Sequence, residues 1–358
     1  MTKIHHIINS YDIRLGGAES LVVLLKEHLI MKKISTHIYG LMDCTEKIDN
    51  ASNAGLKSPY SFKAFLSVKN YIKLNVKDND IIHSHLFPSN FYCSIIKLLK
   101  LTKATLITTE HSTSNRRRGN IFGKMIDRII YHPCTYIICI SKGVEKNLNN
   151  WIFKNSNKTK VIRNGCKLYK KLNYLKSSKD KAVKIISIGS LKDSKNYFTA
   201  IKAINKIKKL DFLWEIAGAG IHFKELNDLV NKFELNDKIS FLGHVNDVDE
   251  LLDNANIFLI PSKWEGFGLA AVEAMHSSLP IIASNVEGLK EVVSNERTCS
   301  LLINPDDAED IAMKLEQLIK SKKLREELGK NAYQNSLSFD IEKMFNKYLS
   351  FYRTLIKN

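Results

Sequence analysis

Residues 257–284 read IFLIPSKWEGFGLAAVEAMHSSLPIIAS. An apolar run opens the stretch, a polar loop with glycines at 266 and 268 follows, a helical pattern starts at Leu269, and a second apolar run begins at Ile281. Apolar runs without polar alternation suit strands covered on both faces, and a helix between two of them makes a parallel crossover. This unit sets the fold class as α/β. It also carries two glutamates. Glu265 stands just before the helix, where a negative charge is favourable by ~0.3–1 kcal/mol for purely structural reasons. Glu273 has Ala271, Val272, Ala274 and Met275 for neighbours, and a carboxylate in such packing needs hydrogen-bond donors. A buried ion pair supplies them; a polyol such as ribose supplies two hydroxyls at once and explains the position better.

The same alternation extends in both directions. Upstream, KIHHIIN, STHIYGLM, DIIHSHL, ATLITTEH and TYIICIS read as strands, separated by helical patterns such as AESLVVLLKEHLIMKK and IFGKMIDRIIYH. After a lysine-rich segment the pattern restarts with KIISIGS, LWEIAGAG, KISFLGH and NIFLIPS, and it closes on DAEDIAMKLEQLIKSKKLREELGKNA and FDIEKMFNKYLSFYRTLIK, both read as helices. The 358 residues exceed one ordinary core. The expectation is two Rossmann-like doubly wound domains, 1–165 and 185–338, joined by a basic linker at 166–184. No tandem repeat is visible.

Net charge is +17, and its distribution is uneven. Residues 1–165 hold 25 basic and 11 acidic side chains, residues 166–184 hold 7 and 1, and residues 185–358 hold 22 and 25. A first half at +14 points to an anionic partner, since general drift of a lysine-rich genome would not spare the second half. The opening MTKIHHIINS lacks the marks of a signal peptide. No run approaches the ~18–20 apolar residues of a membrane helix. The six cysteines form no CxxC pair, as in a reduced cytoplasmic protein.

Ligands of open parallel sheets gather where strands end and helices begin. Gly16 and Gly17 directly precede a helix whose free N–H groups favour anions, although a structural turn fits them equally. His83, His85 and the pair Glu110–His111 follow strands; a metal site made from these histidines is weighed and set below a role for His111 as a polar group in a cleft. Arg116, Arg117 and Arg118 form either a solvated charge run or an anion-docking surface. In ISIGSLKDSKN a strand ends at Gly189, and Ser190 and Lys195 follow in a loop that leads to a helix, a setting suited to a diphosphate. The IAGAG segment lacks the third glycine of a dinucleotide fingerprint. Neither Asp78–Asp80 nor Asp247–Asp249 reads as a metal site, the latter being a common helix cap.

The order of GG, TEH, IRNGC, IGSLKDSKN, IAGAG, FLGHV and EGFGLAAVE resembles the family-4 retaining glycosyltransferases of the GT-B fold, in which two Rossmann-like domains face across a cleft. The resemblance spans nearly the whole chain, and its most specific part is the pair of glutamates around GFG. It implies that Glu273 holds the ribose of a nucleotide sugar, that Glu265 with Gly266, Phe267, Gly268 and Leu269 holds the donor sugar, and that Lys195 contacts the diphosphate. Gly16 and Gly17 would approach the reacting phosphate, His111 would face the donor sugar, and His244 and Val245 would border the base. Where the family often has arginine this chain has Ser190, which leaves Lys195 and the helix ends as the main diphosphate support. The resemblance also implies that the final helix, 339–358, packs back on the first domain.

The expected function is transfer of a sugar from a UDP-sugar to a saccharide, lipid-linked at an anionic inner membrane face, with retention of configuration and in surface polysaccharide synthesis. No metal or cofactor is expected, because a lysine and helix N-termini can stabilise a departing diphosphate. A nucleotide-sugar epimerase or hydrolase of the same fold is the nearest alternative. A basic nucleic-acid-binding protein is the alternative of another class, but no nucleic-acid motif accompanies the charge.

Overall fold

The computed structural model of the chain describes residues 2–44, 48–114, 117–152, 157–168, 182–245, 247–294 and 299–357. Most of the expected linker and Arg116 lie outside these residues. Contacts divide the chain into Met1–Arg163 with Met344–Asn358, and Asn164–Lys343.

The first unit begins with β1 (Ile4–Ile8), α1 (Gly17–Met31), β2 (Thr36–Met42), β3 (Ala51–Leu56), α2 (Phe62–Asn75) and β4 (Ile81–His85). It continues with α3 (Ser89–Leu98), β5 (Thr105–Glu110), α4 (Ile121–Tyr131), β6 (Tyr136–Cys139), α5 (Lys142–Trp151) and β7 (Thr159–Val161). These strands pair in parallel in the order β3-β2-β1-β4-β5-β6-β7. Ile4, Ile7, Ile8, Leu29, Ile38 and Leu41 are fully enclosed, as β-branched and aliphatic side chains between a sheet and its covering helices should be.

In the second unit the order is β8 (Val183–Ile188), α6 (Tyr197–Lys206), β9 (Phe212–Ala217), α7 (Phe223–Lys232), β10 (Ile239–Gly243) and α8 (Val248–Asp253). Then come β11 (Ile257–Ile260), α9 (Leu269–His276), β12 (Ile281–Ser284), α10 (Leu289–Val293), β13 (Ser300–Ile303), α11 (Ala308–Lys320) and α12 (Lys322–Ser336). Its parallel sheet runs β10-β9-β8-β11-β12-β13. Trp214, wholly buried, anchors this core, and its indole N–H donates to Ser187 Oγ at 3.0 Å. That hydroxyl donates in turn to Leu259 O at 2.6 Å, which ties β8, β9 and β11 through side chains as well as backbone. The last helix, α13 (Ile341–Lys357), belongs from Met344 onward to the first unit.

Two points differ from the sequence reading. The stretch 308–336 is two helices, because the Ser321 hydroxyl accepts from Leu324 N at 3.2 Å and starts a new one. Elements β3, α2 and β7 carry no signal in that reading; α2 is fixed locally by Ser61, whose side chain caps it through Ala64 N at 3.1 Å.

Candidate active site

In each sheet the strand order reverses once, between β1 and β4 and between β8 and β11. Such a switch point leaves a crevice at the carboxyl ends of the two strands, where ligands of doubly wound sheets bind. In the second unit the loops leaving β8 and β11 carry Ser190, Lys195 and Glu265.

These loops are tied together. The backbone turns at Asp193–Lys195, and Lys263 N donates to Ser194 O at 2.8 Å. Asn196, buried and in the left-handed conformation, donates its amide to Pro261 O at 3.1 Å and Pro305 O at 2.6 Å. The stem of Lys195 lies along Gly189, where an added Cβ would come within 3.0 Å of Lys195 Cε. Lys195 Nζ meets Glu265 Oε1 at 2.5 Å, and Ser262 Oγ donates to the same oxygen at 2.9 Å. Gly288 keeps the loop after β11 in place: its φ is 84°, and a Cβ there would strike Glu265 O at 2.4 Å. Helix α9 opens on Gly268 with no side chain capping it. Phe267 is buried against Phe339, so of the GFG turn it is backbone, not the aromatic ring, that faces outward.

Glu273 lies further along α9, half-buried, with Cys166 Sγ donating to its Oε1 at 3.8 Å. Burial first, and then the charge of Asp249, push its carboxyl up to about 7. The two glutamates therefore have different surroundings, Glu265 in an ion pair and Glu273 desolvated. His244 is exposed and Val245 half-buried just past β10, beside Gly243, whose carbonyl accepts from Gly218 N at 2.7 Å.

In the first unit, Gly16 and Gly17 stand at the uncapped start of α1, and a Cβ on Gly16 would meet only the flexible end of Glu19. His111 follows β5. Burial lowers its imidazole to about 4, so it is neutral at physiological pH and its Nε2 has no hydrogen-bond partner. It borders a stack the sequence reading did not resolve. His6, His83 and His85 are wholly buried, and each offers a ligand atom within 4.8 Å of the others. His6 Nδ1 and His85 Nε2 are 3.1 Å apart, while His83 is engaged on both nitrogens, by Tyr352 OH at 2.6 Å and Thr109 Oγ1 at 2.7 Å. Burial holds these imidazoles below their ordinary range too, His6 at about 3.

Arg117 and Arg118, expected as a docking surface, instead turn inward. Arg117 pairs with fully buried Asp127 at 2.8 Å and stacks over Phe87 at 4.3 Å, and Arg118 reaches Glu110 at 3.7 Å and the carbonyl of Thr113. A buried carboxylate requires such partners. The Arg117 segment crosses α4 so closely that a Cβ on Gly123 would fall 1.8 Å from Arg117 O.

Two family patterns match the chain: "Glycosyltransferase Family 4" over residues 15–169 and "Glycosyl transferases group 1" over residues 174–335. The Campylobacter jejuni enzyme named GalNAc-alpha-(1->4)-GalNAc-alpha-(1->3)-diNAcBac-PP-undecaprenol alpha-1,4-N-acetyl-D-galactosaminyltransferase is 26% identical over 98% of this chain and 98% of its own length. The O-antigen biosynthesis glycosyltransferase WclY of Escherichia coli is 26% identical over 80% of this chain and 82% of its own. Among solved structures, sucrose-phosphate synthase from Thermosynechococcus elongatus superposes with a TM-score of 0.84 at 21% identity, covering all of both chains. Anabaena HepE, solved with UDP and glucose, gives 0.81 at 17% identity, covering 99% of this chain and all of its own. Fold and matches together make the chain a glycosyltransferase of the GT-B class. More narrowly, it belongs to glycosyltransferase family 4. Neither the epimerase or hydrolase alternative nor the nucleic-acid alternative finds support in these relatives.

Proposed function

We propose that this enzyme moves a sugar from a UDP-sugar to a lipid-linked saccharide, with retention of anomeric configuration, in the assembly of a surface polysaccharide. The observation that carries the reading is Lys195 at the β8/β11 switch point, bonded to Glu265 in the loop that leads to the uncapped start of α9. UDP in the HepE structure and the undecaprenol-linked acceptor in the name of the Campylobacter relative support the choice of donor and acceptor.

In this reading the bond between the anomeric carbon and the β-phosphate oxygen breaks, and the acceptor hydroxyl oxygen bonds to the same face of that carbon. The hydroxyl proton passes to the departing phosphate. Lys195 and backbone N–H groups meet the negative charge that develops on the diphosphate, so the step needs no metal. Glu265 accepts from sugar hydroxyls, and Glu273 accepts from the ribose. His111, being neutral, serves as a hydrogen-bonding group towards the sugar rather than as a cation.

A lipid-linked acceptor brings the enzyme to a membrane surface, and no described helix is long and apolar enough to cross one. Helix α4 supports a peripheral association: Ile121, Phe122, Met125 and Ile129 form one exposed apolar stripe with Arg128 beside it.

A thermal-shift screen of UDP- and GDP-sugars tests the donor, followed by turnover with an undecaprenyl-diphosphate saccharide and NMR of the new linkage. UDP-sugar should stabilise the protein and yield a retained linkage. Stabilisation by no nucleotide sugar, or an inverted product, would overturn the proposal.

A further inference from the structure

The two side chains that this reading assigns to opposite ends of the donor are bonded to each other. Lys195 Nζ, expected on the diphosphate, sits 2.5 Å from Glu265 Oε1, expected on the sugar. Neither is a loose surface group, since their side chains are 21% and 13% exposed. Ser262 adds a hydroxyl to the same carboxylate oxygen, and the backbone bond from Lys263 to Ser194 keeps the two loops in register. The pair bridges the ends of β8 and β11, the position where a ligand of this sheet binds.

We infer that the Lys195–Glu265 pair is a latch that makes the site select a sugar-charged nucleotide over the spent nucleoside diphosphate. The inference rests on the donor reading above. A diphosphate that draws on the Lys195 ammonium must share its single positive charge with Glu265, and so weakens the existing ion pair. A nucleoside diphosphate without a sugar brings nothing to offset that weakening: Glu265 keeps the Ser262 hydroxyl, but a largely buried carboxylate now shares its lysine with a second anion. A nucleotide sugar differs in one respect: its hydroxyls donate to Glu265 while its phosphates take Lys195, so both charges exchange partners and neither is stranded. Once the sugar has passed to the acceptor, Glu265 loses its hydroxyl donors and competes again for the lysine. The diphosphate is then held by a cation it must share. The latch thereby weakens product binding without weakening donor binding, which is how binding energy is directed away from a dead-end complex.

Calorimetric titration of UDP and of the UDP-sugar that stabilises the wild type tests this on the full chain. The variant Glu265→Gln keeps the shape and hydrogen-bonding ability of the side chain but cannot hold the ammonium as an ion pair. It should bind free UDP at least about tenfold more tightly than wild type, the scale of one charge-assisted bond. Its preference for UDP-sugar over UDP should fall by a similar factor. In a Lys195→Ala background the same change should no longer tighten UDP, because the gain comes from releasing the lysine. A gain of equal size in both backgrounds reduces the effect to simple repulsion between carboxylate and phosphate, and the latch is wrong. UDP bound equally or less tightly by a folded Glu265→Gln protein also overturns it. Should that variant not fold, Glu265→Asp, whose carboxylate is withdrawn by one carbon, must show the same direction. If wild type binds UDP-sugar and UDP but the variants do not tighten UDP, the latch alone fails. If wild type binds neither, the donor reading fails and the latch with it.

Discussion

Glu273 shows most directly how a residue's surroundings dictate its chemistry. A carboxyl raised to about 7 by burial and by Asp249 is close to half protonated at neutral pH. For an acid whose folded value is raised, stability is fullest below the unfolded value and is lost as pH climbs towards the folded one. In the proposed role, ribose hydroxyls donating to the anion would reverse that preference, so that binding favours the deprotonated form and releases a proton. The affinity for a UDP-sugar, whose own phosphates do not titrate in this range, should therefore rise with pH between about 5.5 and 7.5, at most about tenfold per unit, and then level off. Glu273→Gln should flatten that profile while lowering affinity, by about 1.5–3 kcal/mol for a hydrogen bond to a charged group. Calorimetry across this range checks it, and a wild-type affinity independent of pH removes Glu273 from the ribose. At this scale the sequence is legible one residue at a time. Lys195 and Glu265 each stand out by loop position, but they lie 70 residues apart and only the strand order joins them. Ser262, which completes their pair, has no signal in the sequence, because a serine after a strand is common.

Helix α4 illustrates the element scale. Asn120 caps it through Gly123 N at 2.7 Å, and its inner face buries Asp127, Ile130 and Tyr131. Its outer face is the reverse of a solvated helix. Phe122 is 75% exposed and Met125 55%, a turn apart, with Ile121 and Ile129 alongside. The tidy periodicity of this segment made the helix easy to read, while the orientation of its apolar face depended on the Arg117–Asp127 pair beneath it. That pair, with the approach of Arg118 to Glu110, explains why Arg117 and Arg118, read as surface charge, serve the interior. Elements without strong periodicity escaped altogether: α2 is set by a serine cap, and the break at Ser321 falls within an unbroken helical pattern. If the exposed stripe inserts among lipid headgroups, each large side chain contributes up to about 1.5–3 kcal/mol. Phe122→Ser combined with Met125→Ser should then weaken binding to anionic vesicles by at least about tenfold in a flotation assay. Activity on a water-soluble saccharide acceptor should stay near wild type. Unchanged flotation would leave the stripe without a membrane role.

At the scale of the whole molecule, charge and apolar surface would act on the proposed membrane partner through different physics. The first 165 residues carry +14 and residues 185–358 carry −3, so long-range attraction to an anionic surface arises from one half of the chain. That attraction is screened within about 10 Å at 0.1 M salt and about 3 Å at 1 M, whereas burial of Phe122 and Met125 is not. Binding of the wild-type enzyme to anionic vesicles should accordingly fall as salt rises and settle on a residual plateau, and binding to neutral vesicles should match that plateau at every salt concentration. The Phe122→Ser, Met125→Ser protein should follow the same salt slope but fall to a much lower plateau. Titrations at several salt concentrations separate the two terms. Salt-independent binding would mean that the basic half does not face the membrane. Duplex nucleic acid bound more tightly than vesicles, with a steep salt slope, would instead assign the +14 to a polyanion of another class. The surface polysaccharide reading would then have to stand on the donor site alone.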